Sequence, residues 1–275
     1  MVSVIWSRRA IPLAWRLLPH IGNSNQEEQE SILSPILERL KEYEIVVLGD
    51  GEFCSLDLAA WLQARNVGFC LRLKKATCLE GENQIWQRLD ELPIKPGVAL
   101  YYQGKRIRKT VPSSGFALAA KWKRSYRCQT PKEPWYILTN LGSLTESIEA
   151  YKRRMGIEEM FRDCKSGGDS LESTGLRRER LNAMILVMSL AYFQSTMRGC
   201  EINKHQGQKY VCRTKEFGRI YRRRSTFGVG LDGENWVKNL EQYHQEAAEL
   251  TNLSSHKRRF YQGEIRAPTI ISSIL

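Results

Sequence analysis

Short apolar runs and stretches of helical period alternate along the first two hundred positions. Residues 2–6 predict a strand, Arg8-Arg9 a turn, and residues 10–18 a second strand with Pro12 near its start, where proline is tolerated. The pair predicts an antiparallel hairpin. Gly22-Asn-Ser-Asn25 breaks the chain and supplies a cap. Residues 26–43 then carry Ile32, Leu33, Ile36, Leu37 and Leu40 at helical spacing, with Pro35 inside the predicted helix. Residues 44–48 are a continuous apolar run, the pattern of a strand buried on both faces. Ser55 can cap a helix over 56–65, and 67–73 predicts the next strand. A short helix is expected at 85–92, and strands at 98–103, 105–111, 116–121 and 135–139. Ser143-Leu-Thr-Glu146 has the form of a capping box opening a helix that stops at Gly167-Gly168. Residues 181–197 predict a buried helix packed on the sheet, and 236–250 a further helix.

Strand, helix and strand from 44 to 73 predict an α/β core. The first of those strands ends in Gly49-Asp50-Gly51-Glu52-Phe53. Open α/β sheets place their chemistry just past the carboxyl ends of their strands, which singles out Asp50. A second candidate group lies on the helix after Ser143. Tyr151, Arg154, Glu158 and Lys165 stand at offsets of 3, 7 and 14 from the first. At roughly 100° per residue, an unbroken helix brings them within an arc of about 60°. One face then holds a carboxylate, two cations and a phenol, a set suited to a metal and a phosphate together.

Charge strengthens that picture. The chain has 42 Lys+Arg against 30 Asp+Glu, a formal net charge of +12. Such an excess favours a polyanionic partner, nucleic acid before membrane. Nine of the cations fall between Tyr101 and Lys132, a stretch without an acidic residue that also holds Trp122 and Tyr126. Cations interleaved with aromatics suit a surface that tracks a nucleic-acid backbone, and they equally suit a solvated β-ribbon. The seven cysteines show no zinc-knuckle spacing and the four histidines are scattered, so reduced thiols and no His-based metal site are expected. No signal peptide is evident at the start, and no membrane partner is expected.

The spacing Tyr, two residues, Arg, three residues, Glu, six residues, Lys resembles the signature of the IS4-type DDE transposases. The strand that leads to Asp50 and Phe53, the Ile-Pro-Leu-Ala-Trp hairpin and the Gly-Asn-Ser-Asn turn extend the resemblance over roughly residues 1–190. It implies an RNase H-like (ribonuclease H-like) fold: a mixed five-stranded sheet flanked by helices, with a β-rich insertion. The expected divisions are 1–75 for the first part of the core, 76–140 for the insertion, 141–200 for the catalytic helix and the rest of the core, and 201–275 for a helical or irregular tail. The resemblance implies Mg²⁺, with Mn²⁺ as a substitute, held by Asp50 and Glu158 as two of three catalytic carboxylates. Tyr151, Arg154 and Lys165 would bind DNA phosphates, and Trp122 could stack on a base. The implied partners are double-stranded DNA at transposon ends and a second copy of the chain in the synaptic complex. The implied location is the bacterial cytoplasm, at the nucleoid. No aspartate precedes Asp50. The first core strand and its carboxylate are therefore expected to be missing, as in the C-terminal portion of a transposase. Two functional classes follow: a metal-dependent DNA transposase inactive alone, or a non-catalytic DNA-binding or dimerising remnant that inhibits transposition. A basic RNA-binding protein would require the four-residue match to be chance.

Overall fold

The computed structural model describes residues 1–81, 85–104, 106–107, 116–124, 133–166, 174–205, 208–211 and 224–233. It divides into two compact units: Met1–Val2 with Leu13–Met155, and Ser3–Pro12 with Gly156–Leu275.

The first unit is built on a five-stranded mixed sheet. Its strands are β3 (Val46–Gly49), β4 (Gly68–Arg72), β7 (Ala99–Gln103), β8 (Ala117–Lys121) and β9 (Trp135–Thr139), in the order β3-β4-β9-β8-β7. The β3–β4 pair is parallel, as a strand–helix–strand crossover requires, and the other pairs are antiparallel. Three of the five strands thus come from the segment 76–140, expected as an insertion, and hydrogen-bond directly into the sheet that carries β3. Side chains alternate between two apolar layers. Phe69, Leu71, Leu118, Ala120 and Leu138 face the main core with Leu33 and Leu37 of α1 (Gln26–Arg39) and Leu56, Leu58 and Leu62 of α2 (Leu56–Gln63). Cys70, Ala119 and Ile137 face the other way, against Ile148 and Tyr151 of α3 (Leu144–Arg153). Helices on both faces explain why these strands carry apolar residues at consecutive positions. Burial and a Glu146 charge push the Cys70 thiol up to about 11, keeping it a neutral packing group.

Two local expectations change. Residues 85–92 form no α-helix; they give β6 (Trp86–Arg88), which pairs with β5 (Cys78–Glu80), and then a single 3₁₀ turn, Leu89–Glu91. Arg88 pairs with Asp90, and Leu89 is fully buried. The hairpin closes one residue earlier than Arg8-Arg9. β1 (Val2–Trp6) and β2 (Arg9–Ala14) are joined by Ser7 and Arg8, at φ 47° and 66°, the two positive-φ positions of the tightest hairpin turn. The two strands form a sheet of their own.

The second unit centres on α4 (Met155–Ser166) and α5 (Arg178–Lys204). Ala10 and Ile11 of β2 join Met160, Tyr192 and Phe227 in an apolar cluster, with Ile5, Ile157 and Cys164 packed against it. Gly156 lets α4 approach the hairpin: a Cβ there would lie 3.2 Å from Ile5 Cδ1 and 3.3 Å from the Arg8 carbonyl oxygen. α5 crosses a helical segment, 226–233, at glycines on both sides. A Cβ on Gly199 would overlap the Thr226 carbonyl, and one on Gly230 would overlap that of Ser195. Tyr192 stacks on Phe227 at 5.0 Å. The helix predicted as buried leaves Leu186, Val187, Leu190 and Phe193 exposed. Its buried stripe is Ile185, Tyr192, Thr196 and Gly199. A short helix, α6 (Gln208–Val211), follows. The Gly167-Gly168 stop, most of the 105–111 strand, the cations from 125 to 132 and the 236–250 helix lie outside the described residues.

Candidate functional site

In the first unit the site is built at the carboxyl end of β3. Gly49 closes the strand because there is no room for a side chain: a Cβ would sit 2.8 Å from Phe53 Cβ and 2.9 Å from Leu71 Cδ2. The chain then turns through Gly51–Phe53, a 3₁₀ turn capped by Asp50. The Glu52 amide donates to Asp50 Oδ1 at 3.1 Å, and the Phe53 amide to the Asp50 carbonyl at 3.0 Å. One carboxylate oxygen is therefore used to fix the loop. The other faces Arg154, whose Nη1 lies 3.7 Å from Oδ2. The pair is loose, and Asp50 is 47% exposed while Arg154 is 14% exposed.

Arg154 is held from below. Its guanidinium stands 5.6 Å from the centre of the Tyr151 ring, a cation–π contact. Tyr151 is buried and meets Trp135 edge to face at 5.2 Å. Burial raises the Tyr151 phenol above its usual value, and the charges of Arg154 and Arg72 oppose that rise. The Lys123 ammonium lies over the other partner, 4.1 Å from the Trp135 ring centre. Trp122 packs against the main core. Parity explains this: Lys121 and Lys123 share one side of the chain and Trp122 takes the other. The aromatic on the cationic face is thus Trp135, a position that the strand parity of 135–139 could have singled out.

The helix after Ser143 is interrupted. Ser143 caps it through the Glu146 amide at 3.2 Å. α3 then ends at Arg153 and α4 opens at Met155. At the junction Arg154 keeps a helical backbone (φ −53°, ψ −32°), but its amide bonds to the Tyr151 carbonyl, a three-residue step. Gly156 follows in the first turn of α4, where a glycine weakens helix by about 1 kcal/mol relative to alanine. Tyr151 and Arg154 belong with Asp50 in the first unit, whereas Glu158 and Lys165 belong to the second.

In the second unit Glu158 stands exposed on the first turn of α4 and Lys165 exposed on the last. The adjoining face of α4 is gripped by Arg9 of β2. Arg9 Nε lies 2.9 Å from Asp163 Oδ2 and Nη1 lies 3.5 Å from Glu159 Oε2, one helical turn apart. This pair is buried, with Arg9 13% and Asp163 8% exposed. Desolvation holds the Asp163 carboxyl above the usual aspartate range, although a Ser225 hydrogen bond and the Arg9 charge oppose the shift. Tyr192, raised by burial and by the Asp163 charge, completes the cluster. Nothing in the sequence pointed to this grip, because its partners are more than 150 positions apart.

Among the described residues, no three His, Cys, Asp or Glu side chains gather into a metal-holding group. Among the same residues no helix is long and apolar enough to cross a membrane.

A mixed five-stranded sheet with helices on both faces, and a carboxylate beside an arginine at the end of a parallel strand, make an α/β protein compatible with an RNase H-like fold. Residues 20–192 match the family described as Transposase DDE domain, and the chain belongs to that family. The matched span holds Asp50, Trp122, Tyr151, Arg154, Glu158 and Lys165. No curated protein matches the chain. The family carries out DNA transposition through nuclease and strand-transfer chemistry, acts on DNA and generally uses divalent metal ions.

Proposed function

We propose that this chain is an IS4-type transposase component that cleaves and joins DNA at transposon ends, with Asp50 and Glu158 as two of the catalytic carboxylates. The observation that carries this reading is the Asp50 loop. A steric requirement for Gly49, a capped turn and a neighbouring arginine hold a half-exposed carboxylate where α/β sheets place their chemistry. Arg154, steadied by Tyr151, would position a DNA phosphate against that carboxylate, and Lys165 would hold another. Mg²⁺, or Mn²⁺ in its place, is the cofactor of this reading. The absence of a third ligand-bearing side chain near either carboxylate, among the described residues, supports a further point. The third carboxylate comes from a segment or a chain beyond these residues, so the chain is inactive alone and works as a dimer on transposon ends in the bacterial cytoplasm. That same observation favours a second reading, a non-catalytic remnant that occupies ends or pairs with intact transposase and inhibits it.

Nicking and strand transfer, assayed with Mg²⁺ or Mn²⁺ on DNA carrying the element's ends, separate the two. The chain alone is compared with one extended by the upstream reading frame. Activity confined to the extended protein, and lost in D50A and E158A, supports the enzyme. Inactivity of both, with inhibition of an intact transposase, supports the remnant. Activity of E158A or D50A in the extended protein would sink the site assignment.

A further inference from the structure

The cations of the first unit are not spread evenly. Lys121 ends β8 directly opposite Trp135 on β9. Lys123 lies 4.1 Å over the Trp135 ring. Lys152 and Arg153 stand exposed on the last turn of α3, which covers the same face of the sheet. Burial, and after it the charges of Lys152 and Lys121, hold the Lys123 ammonium below the usual lysine value. The carboxylate that faces these groups is Glu149. It pairs with Lys152 and also feels Lys121 and Arg153. Three cations thus bear on one acid, and the fourth, Lys123, lies over Trp135.

A helix C-terminus accounts for Lys152 and Arg153, which complement its dipole. It does not account for Lys121 and Lys123, which arrive from a different element and are packed towards them at a repulsive cost. From Lys123 the contacts run on without a gap: Trp135 at 4.1 Å, Tyr151 at 5.2 Å from Trp135, Arg154 at 5.6 Å from Tyr151, and Asp50 at 3.7 Å from Arg154. Two aromatics stand between two cations along this line, which ends at the half-exposed carboxylate of Asp50.

We propose that Lys121, Lys123, Lys152 and Arg153, arranged around Trp135, form a sequence-independent seat for the phosphodiester backbone of duplex DNA, leading the strand towards Asp50. The proposal rests on the reading of the chain as a protein that acts on DNA. Phosphates relieve the mutual repulsion of the cations, and counterion release drives the binding. Trp135 serves as the platform that fixes the Lys123 ammonium, not as a base-stacking group, because its ring face is already covered by that ammonium.

The test is fluorescence anisotropy on a labelled random-sequence duplex across a KCl series, in EDTA so that no cleavage chemistry enters. It compares the full chain with K121Q/K123Q/K152Q, and with a charge-matched control, K41Q/R65Q/K204Q. Each phosphate contact contributes about 0.9 to the slope of log K against log salt. The lysine triple variant should therefore flatten the slope by about 2 to 3 and weaken low-salt binding at least tenfold. The control should change the slope by less than about 1, and K123R should keep it. An unchanged slope in a triple variant with an unchanged melting curve would overturn the proposal. So would an equal loss in the control, or binding of single strands alone. Because the readout is binding without metal, a failed nicking assay leaves this result standing, and the reverse also holds.

Discussion

Two of the arginine–aspartate pairs among the described residues are of opposite character. Arg9 and Asp163 meet at 2.9 Å in a buried cluster that ties a hairpin to a helix. Arg154 and Asp50 stand 3.7 Å apart, with the carboxylate half exposed and one of its oxygens spent on a loop amide. Desolvation at the first site is met by close pairing and hydroxyl neighbours, so that carboxylate is committed to architecture. The second sets its arginine at a looser distance from a carboxylate that stays half exposed. Charge identity is the same in both; closeness and burial separate the pair locked into packing from the one that is not.

Removing Arg9 should produce the largest effect. R9M takes the 2.9 Å cation away from the buried Asp163, while Glu159 keeps Arg162, and a loss of about 3–5 kcal/mol in denaturant unfolding is expected. The pH dependence has a definite sign. A carboxyl raised in the folded state holds its proton more tightly there than in the unfolded chain. The Asp163 contribution is therefore present below its ordinary value of 3.8 and is lost as pH climbs through the raised folded value. R9M raises that value further, so its deficit should be larger at pH 8 than at pH 5. A deficit that grows towards acid would show that Asp163 is stabilised, not strained, by its surroundings.

G49A comes next. Its Cβ would press on Phe53 and Leu71, costing about 1–3 kcal/mol by overpacking, with a shift of the Asp50 loop visible in the Glu52 amide resonance. S7N/R8G should act in the other direction. Both positions have positive φ, and residues suited to that turn should stabilise the hairpin by about 1 kcal/mol, read as a higher melting temperature. D50A should move stability least, by about 0.5–1 kcal/mol through the lost turn cap, while abolishing nicking in the extended protein. A D50A chain as unstable as R9M would erase the distinction between the two pairs.

The strand–loop–helix–strand around Asp50 was legible because its signals are local: a continuous apolar run, Gly-Asp-Gly, and Ser55 as a cap. The hairpin was legible too, but not its turn, since neither Ser7 nor Arg8 is a residue that advertises positive φ. Residues 85–92 carry an apolar spacing too short to separate helix from strand. The joining of β7, β8 and β9 to β4 depends on pairings between distant segments, which no local pattern encodes. At the site, Asp50 and the Tyr151–Arg154 neighbourhood could be read from spacing. The interruption at Arg154 could not, because its backbone stays helical and no proline marks it. The Arg9 grip and the Trp135 platform are products of packing alone.

The crossing of α5 with residues 226–233 has a consequence outside the test tube. Gly199 and Gly230 each fill a place where a single added carbon would strike a carbonyl on the opposite element. Both belong to the second unit, whereas the Asp50 loop and the cationic face belong to the first. Among natural copies of this gene, those still making a folded protein will retain both glycine codons. In copies freed from selection the two codons will drift like any silent surface position. The pair is a molecular clock that starts on the day an element falls out of use.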